Sequence, residues 1–138
     1  VTTLMFYLAR LHDRLFTQRR HRVREASPHT VMIEKVRQYI QRYYANAVSL
    51  PEIADFVYTN PSYLSRIFKN ETGITLSTYI NQVRIEAAKQ MITDTDELMI
   101  DIAVACGYNY IPHFNKIFKS FTGMTPTQYK KLYKKSYF

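Results

Sequence analysis

The chain repeats itself at a distance of 50 residues, and no other feature constrains its fold as much. Ile67, Phe68, Lys69, Thr72, Gly73, Thr75 and Tyr79 recur 50 positions later as Ile117, Phe118, Lys119, Thr122, Gly123, Thr125 and Tyr129. Upstream, Ile53 and Ala54 recur as Ile102 and Ala103 at a shift of 49, so the second copy carries one extra residue between its two helices. Apolar residues return at intervals of three and four rather than two, and there are only 3 glycines and 5 prolines among 138 residues. This pattern predicts an all-α chain in which no segment requires a strand.

Each copy reads as a short helix, a turn, a longer helix and a Thr-Gly stop. In the first, Ser49 is a candidate N-cap with Glu52 at capping-box spacing, opening a helix over about 50–57. A turn at Tyr58, Thr59 and Asn60 leads to a helix that begins at Pro61, where the missing N–H costs nothing, and that turns Leu64, Ile67 and Phe68 inward. In the second, the short helix spans about 100–106 and Gly107 makes the turn. Asn109 or Tyr110 then opens a helix burying Phe114, Ile117, Phe118 and Phe121, with Pro112 in its first turn. Gly73 and Gly123 are placed to end the longer helices in the left-handed conformation.

Between the copies, residues 76–92 read as one helix with Tyr79, Ile80, Val83, Ala87, Ala88 and Met91 at helical spacing. At 1.5 Å per residue it is a stiff spacer of roughly 25 Å. Upstream, Leu4, Leu8, Leu11 and Leu15 form a stripe on a helix over about 3–16, followed by a basic linker containing Arg19, Arg20, Arg22 and Arg24. Ser27-Pro28 marks a break, and a helix over about 30–44 offers Val31, Val36, Tyr39, Ile40 and Tyr43 as its buried face. The expected division is residues 1–28 as helix and linker, then 29–138 as one domain with helical units at about 49–73 and 98–123. Val1 in place of an initiating methionine is read as the mark of a fragment or processed chain, with a sensing or dimerisation domain expected upstream.

Composition narrows the function. Lys and Arg number 19 against 11 Asp and Glu, a formal charge of +8, which favours polyanionic partners through counterion release. After Asp101 there is no acidic residue, while Lys116, Lys119, Lys130, Lys131, Lys134 and Lys135 follow, the last two reading as a solubilising tail. Three glycines allow no glycine-rich nucleotide loop, so NAD- or ATP-dependent enzymes are disfavoured. His12, His21, His29, His113 and Cys106 show no metal spacing, and no paired carboxylates suggest a catalytic cleft. No enzyme activity, cofactor or metal is expected. With one cysteine and no long apolar run, the chain is expected to be soluble and cytoplasmic, without membrane association.

A short helix, a turn and an amphipathic longer helix form the pattern of a helix-turn-helix, and two in register on a basic chain predict two helices entering successive major grooves. The residues carrying this pattern resemble the DNA-binding domain of the AraC/XylS family of bacterial transcription regulators. They are Leu64-Ser65-Arg66 with Phe68-Lys69, Glu71-Thr72-Gly73, Arg84 with Ala88, Gly107-Tyr108, and Gly123 with Thr125-Pro126 and Tyr129. The resemblance covers roughly 31–132. It implies a seven-helix, two-lobed domain that binds an asymmetric promoter site, usually to activate transcription.

On the first longer helix Ser62, Tyr63, Ser65, Arg66 and Lys69 face outward, and by similarity Ser62, Ser65 and Arg66 meet base edges. Arg66 can pair with guanine O6 and N7; a phosphate or the neighbouring Glu71 is its alternative partner. Lys69 and Lys119 suit phosphates, and Asn60 and Asn109, opening the two helices, suit backbone positioning or simple capping. The second copy departs from the family pattern in presenting Ile111 and Pro112 beside Asn115 and Lys116. Asn115 can bond adenine and Ile111 can pack on a thymine methyl, so unit two is expected to anchor on A·T-rich sequence while unit one specifies. Tyr79, Tyr108 and Tyr129 read as core or rim aromatics, and Arg84 as a structural partner or phosphate contact. The implied partners are double-stranded DNA, RNA polymerase and a second copy joined through the missing N-terminal region. Two rivals remain: a helical protein-interaction module with only non-specific DNA affinity, and a membrane-surface protein using its first helix, which leaves the repeat unexplained.

Overall fold

The structure, a computed structural model, describes residues 27–134, so the leucine stripe, the arginine cluster and Lys135 lie outside the described residues. Seven helices account for the regular structure of this region: α1 Pro28–Tyr43, α2 Leu50–Phe56, α3 Pro61–Thr72, α4 Leu76–Asp94, α5 Met99–Ala105, α6 Ile111–Thr122 and α7 Pro126–Tyr133. The fold is all-α, two helical lobes joined by α4.

The Ser27-Pro28 break is the start of α1. Ser27 is extended, its hydroxyl accepts from the Thr30 N–H at 3.2 Å, and Pro28 takes the first helical position. The buried face is Ile33, Val36 and Ile40, whereas Val31 and Tyr43 are exposed and Tyr39 is half-buried. Val31 lies two residues from Ile33, about 200° around the helix, and so points away from that stripe.

The repeated residues are repeated hydrogen bonds. Thr72 Oγ1 donates to Phe68 O at 2.6 Å and Thr122 Oγ1 to Phe118 O at 2.9 Å. The N–H groups of Gly73 and Gly123, both left-handed, each donate to a lysine carbonyl one turn back at 2.8 Å, Lys69 and Lys119 respectively. Thr75 then caps α4 and Thr125 caps α7 in the same way, and Phe68–Tyr79 and Phe118–Tyr129 ring contacts follow at 5.6 and 5.5 Å. Thus α7 is the second lobe's counterpart of the start of α4.

Two cores result. Ile33, Val36 and Ile40 of α1, Ile53 and Ala54 of α2, Leu64, Ile67 and Phe68 of α3, and Leu76 and Val83 of α4 form the first. Ile85, Ala87, Ala88 and Ile92 of α4 join Ile102, Ala103, Cys106, Tyr108, Phe114 and Phe118 in the second. The 19-residue α4 therefore gives its first half to one lobe and its second half to the other. Phe121 is 40% exposed and Ile117 half-buried, against the expectation that both would be buried, because α6 spends its inward stripe on Phe114 and Phe118.

The second core sets an alkaline limit. Burial pushes the Cys106 thiol and the Tyr108 hydroxyl each up to about 12, and the adjacent Arg84 guanidinium offsets this only in part. The folded chain holds protons that the unfolded chain releases, so this stabilisation is complete below about pH 9 and is lost as pH rises toward about 12. Denaturant midpoints measured across that window are expected to fall, and to fall less steeply in Cys106→Ala.

Candidate nucleic-acid interface

The two helix-turn-helix units start their turns alike. Thr59 N–H donates to Ala54 O and Tyr108 N–H to Ala103 O, both at 2.9 Å, and the residues before them, Tyr58 and Gly107, have φ of 57° and 98°. Tyr58 tolerates this conformation with its side chain in solvent, 97% exposed. At Gly107 a Cβ would lie 2.7 Å from the Tyr44 carbonyl oxygen, so the close approach requires glycine. The extra residue of the second copy falls after this shared geometry, between Tyr108 and the start of α6.

That insertion separates the two helix starts. Asn60 is the N-cap of α3, its Oδ1 accepting from the Tyr63 N–H at 2.7 Å. Asn109 does not open α6: the helix begins at Ile111, Tyr110 occupies the cap position without a side-chain bond, and Asn109 stands exposed in the turn. Ile111 is also half-buried against the second core, so only part of its side chain is outward. Pro112, Asn115, Lys116 and Lys119 are exposed along α6.

On α3, Ser62, Ser65, Arg66 and Lys69 are exposed opposite Leu64, Ile67 and Phe68. Tyr63 is half-buried rather than outward. Its hydroxyl lies 2.7 Å from His29 Nε2 on α1, and the Arg66 guanidinium carbon lies 5.5 Å from the centroid of its ring. Glu71 faces His29 Nδ1 at 4.0 Å. The sequence offered no signal for His29, which reaches Tyr63 across 34 residues.

The exposed cations of α3 and α6 occupy equivalent places, Arg66 with Lys69 and Lys116 with Lys119, as the repeat requires. A cleft of about 480 Å³ opens at the start of α6, lined among others by Asn109, Tyr110, Pro112, His113 and Lys116. Lys134 is no free tail: its ammonium pairs with the Asp96 carboxylate and donates to Thr95 O at 3.1 Å. Arg84 donates to backbone carbonyls of Tyr44 and Asn46, the structural one of the two roles expected of it. Among the described residues no cluster of three or more His, Cys, Asp or Glu is arranged to hold a metal, and no helix is long and apolar enough to cross a membrane.

Known proteins share this arrangement. The family profile described as a helix-turn-helix domain matches residues 53–132. The bifunctional transcriptional activator/DNA repair enzyme AdaA of Bacillus subtilis (strain 168) is 34% identical over 110 residues, 80% of this chain and 52% of AdaA. The HTH-type transcriptional regulator YijO of Escherichia coli (strain K12) is 31% identical over 111 residues, 80% of this chain and 39% of YijO. The chain thus spans about half, or less, of the curated relatives it matches. The C-terminal domain of AraT, a response regulator from Geobacillus stearothermophilus, superposes with a TM-score of 0.76 at 30% identity, covering 83% of this chain and 93% of that one. The DNA-binding domain of AdpA, solved in complex with a target DNA, shares the fold with a TM-score of 0.69 at 18% identity, covering 73% and 91%.

Proposed function

This chain belongs to the AraC-type family of helix-turn-helix transcription regulators, and from that membership we propose that it reads a bipartite, asymmetric DNA site and activates transcription there. The observation that carries the reading is the pair of equivalent exposed faces on α3 and α6, each bearing two cations, held apart by α4. B-DNA returns its major groove to one side about every 34 Å. A 19-residue helix is about 28 Å long, and the lobes at its ends add to that reach.

In this reading α3 is the specific reader. Ser62, Ser65 and Arg66 meet base edges, while Asn60 and Lys69 meet phosphates. Helix α6 anchors on A·T-rich sequence through Asn115, Lys116 and the outward part of Ile111, with Lys119 and Asn109 on phosphates. Residues 29–138 form the DNA-binding domain, and the preceding segment leads to the region that senses a signal and pairs two copies. RNA polymerase is the second partner, and the cytoplasm the place of action. The repair activity in AdaA's name is that of AdaA, of which this chain spans 52%; the chain's one cysteine, Cys106, is buried, and burial pushes its thiol up to about 12.

Binding-site selection from a random duplex library, followed by salt titration on the winner and a scrambled duplex, tests the reading. The expected result is a non-palindromic motif with two centres about one helical turn apart. Lys69→Ala is expected to weaken binding to selected and scrambled duplexes alike and to make the slope of log K against log salt shallower by about 0.9. Weak, sequence-blind binding overturns the proposal and favours a helical protein-interaction module.

A further inference from the structure

Arg84 stands at the changeover of α4, between Val83 of the first core and Ile85 of the second. Its Nε donates to Tyr44 O at 2.9 Å and an Nη to Asn46 O at 3.0 Å, both in the segment joining α1 to α2. On its other side the guanidinium carbon lies 5.4 Å from the centroid of the Tyr108 ring, in the turn of the second unit. Tyr108 is held in turn by its hydroxyl, which donates to Asn81 Oδ1 at 2.8 Å, three residues before Arg84 on α4. Tyr44 packs against both cores, and its carbonyl approaches Gly107 so closely that no Cβ fits between them. One side chain therefore ties the α1–α2 joint of the first lobe to the α5–α6 turn of the second.

We propose that Arg84 is a positioning residue, a latch that fixes α3 relative to α6 and so sets which spacing between half-sites the protein accepts. Each core is closed by its own helices, and α4 is the element they share. A helix joining two lobes without such a clasp can bend or twist at its middle. The guanidinium resists this because it is bound at once to two carbonyls of one lobe and to a ring face of the other, with charge-assisted bonds in a half-buried setting. Inserting one base pair between half-sites moves the second by about 3.4 Å and rotates it by roughly 35°. A latched protein must deform the DNA to follow, whereas an unlatched one pivots.

The inference rests on the two-groove reading, and its test separates the two. On the selected duplex and on versions with one base pair added or removed between half-sites, the intact chain is expected to lose at least about ten-fold in affinity per change. Arg84→Met keeps the aliphatic stem, and is expected to bind all three duplexes within about three-fold of one another while binding a single half-site as before. Should Arg84→Met not fold, Arg84→Lys replaces the fork by one ammonium and is judged by the same ratio. Where the intact chain discriminates between spacings, a folded variant that keeps its spacing ratio overturns the latch. Spin labels on Asn70→Cys and Ser120→Cys, exposed equivalent positions on α3 and α6, measure the latch without DNA. A narrow distance distribution that broadens in the Arg84 variant supports the latch even if the intact chain is indifferent to spacing, in which case the two-groove reading fails; an unchanged distribution overturns the latch.

Discussion

Arg66→Ala is expected to weaken binding at the protein's own DNA site by about 1–3 kcal/mol, roughly 5- to 150-fold, and to erase preference at one base pair of one half-site. The size follows from what a guanidinium does at a guanine: two parallel bonds to O6 and N7 that no other base offers in that geometry. Arg66 is exposed, and its guanidinium already rests over the Tyr63 ring, whose hydroxyl is engaged by His29. A pre-oriented arginine loses less rotamer freedom on binding, so more of the contact energy remains as discrimination. Fluorescence-anisotropy titrations on duplexes substituted one position at a time decide the matter. A loss confined to one position identifies base reading; an equal loss at every position makes Arg66 a phosphate contact. Scrambled duplexes are expected to lose only what one phosphate contact provides.

The parts of this molecule that its sequence reveals are those built from local bonds. The Thr-Gly stop, the threonine caps at Thr75 and Thr125, the proline at the start of α3 and the Asn60 cap involve partners within four residues, so the repeated letters already describe the bonds. The exposed row on α3 follows from the same periodicity. The register fails where a single residue is added. The second copy's extra residue leaves Asn109 outside the cap and puts Tyr110, the other residue expected to open the helix, in that place without a side-chain bond. Periodicity also fails where a helix serves two cores. The apolar residues of α4 divide between lobes, so no single stripe marks its buried side. Tertiary partners lie furthest from view: His29 at Tyr63, Lys134 at Asp96 and Arg84 at Tyr44 each join residues more than 30 positions apart.

The division into two cores leads to the largest expected stability effects. Phe68 and Phe118 are equivalent, both fully buried, each the partner of the tyrosine that follows its Thr-Gly stop. Truncating either to alanine removes a buried ring and leaves a cavity, at a cost of about 3–5 kcal/mol. A domain of this size has only about 5–15 kcal/mol in total, and each lobe holds a share of that. Phe118→Ala is therefore expected to unfold the second lobe locally while Ile33, Val36, Ile40, Ile53, Leu64 and Phe68 keep the first closed. Hydrogen exchange is expected to show α5, α6 and α7 losing protection while α1, α2 and α3 retain theirs, and Phe68→Ala to give the reverse pattern. The second half of α4 should follow the second lobe, since Ile85, Ala88 and Ile92 lose their packing with it. If both variants instead expose all seven helices together, coupling through α4 and the Arg84 contacts exceeds the cost of the cavity, and the lobes are one cooperative unit. In the local case, Phe118→Ala binds a single half-site with the first lobe's specificity and gains nothing from the second, which separates reading by α3 from anchoring by α6 in one protein.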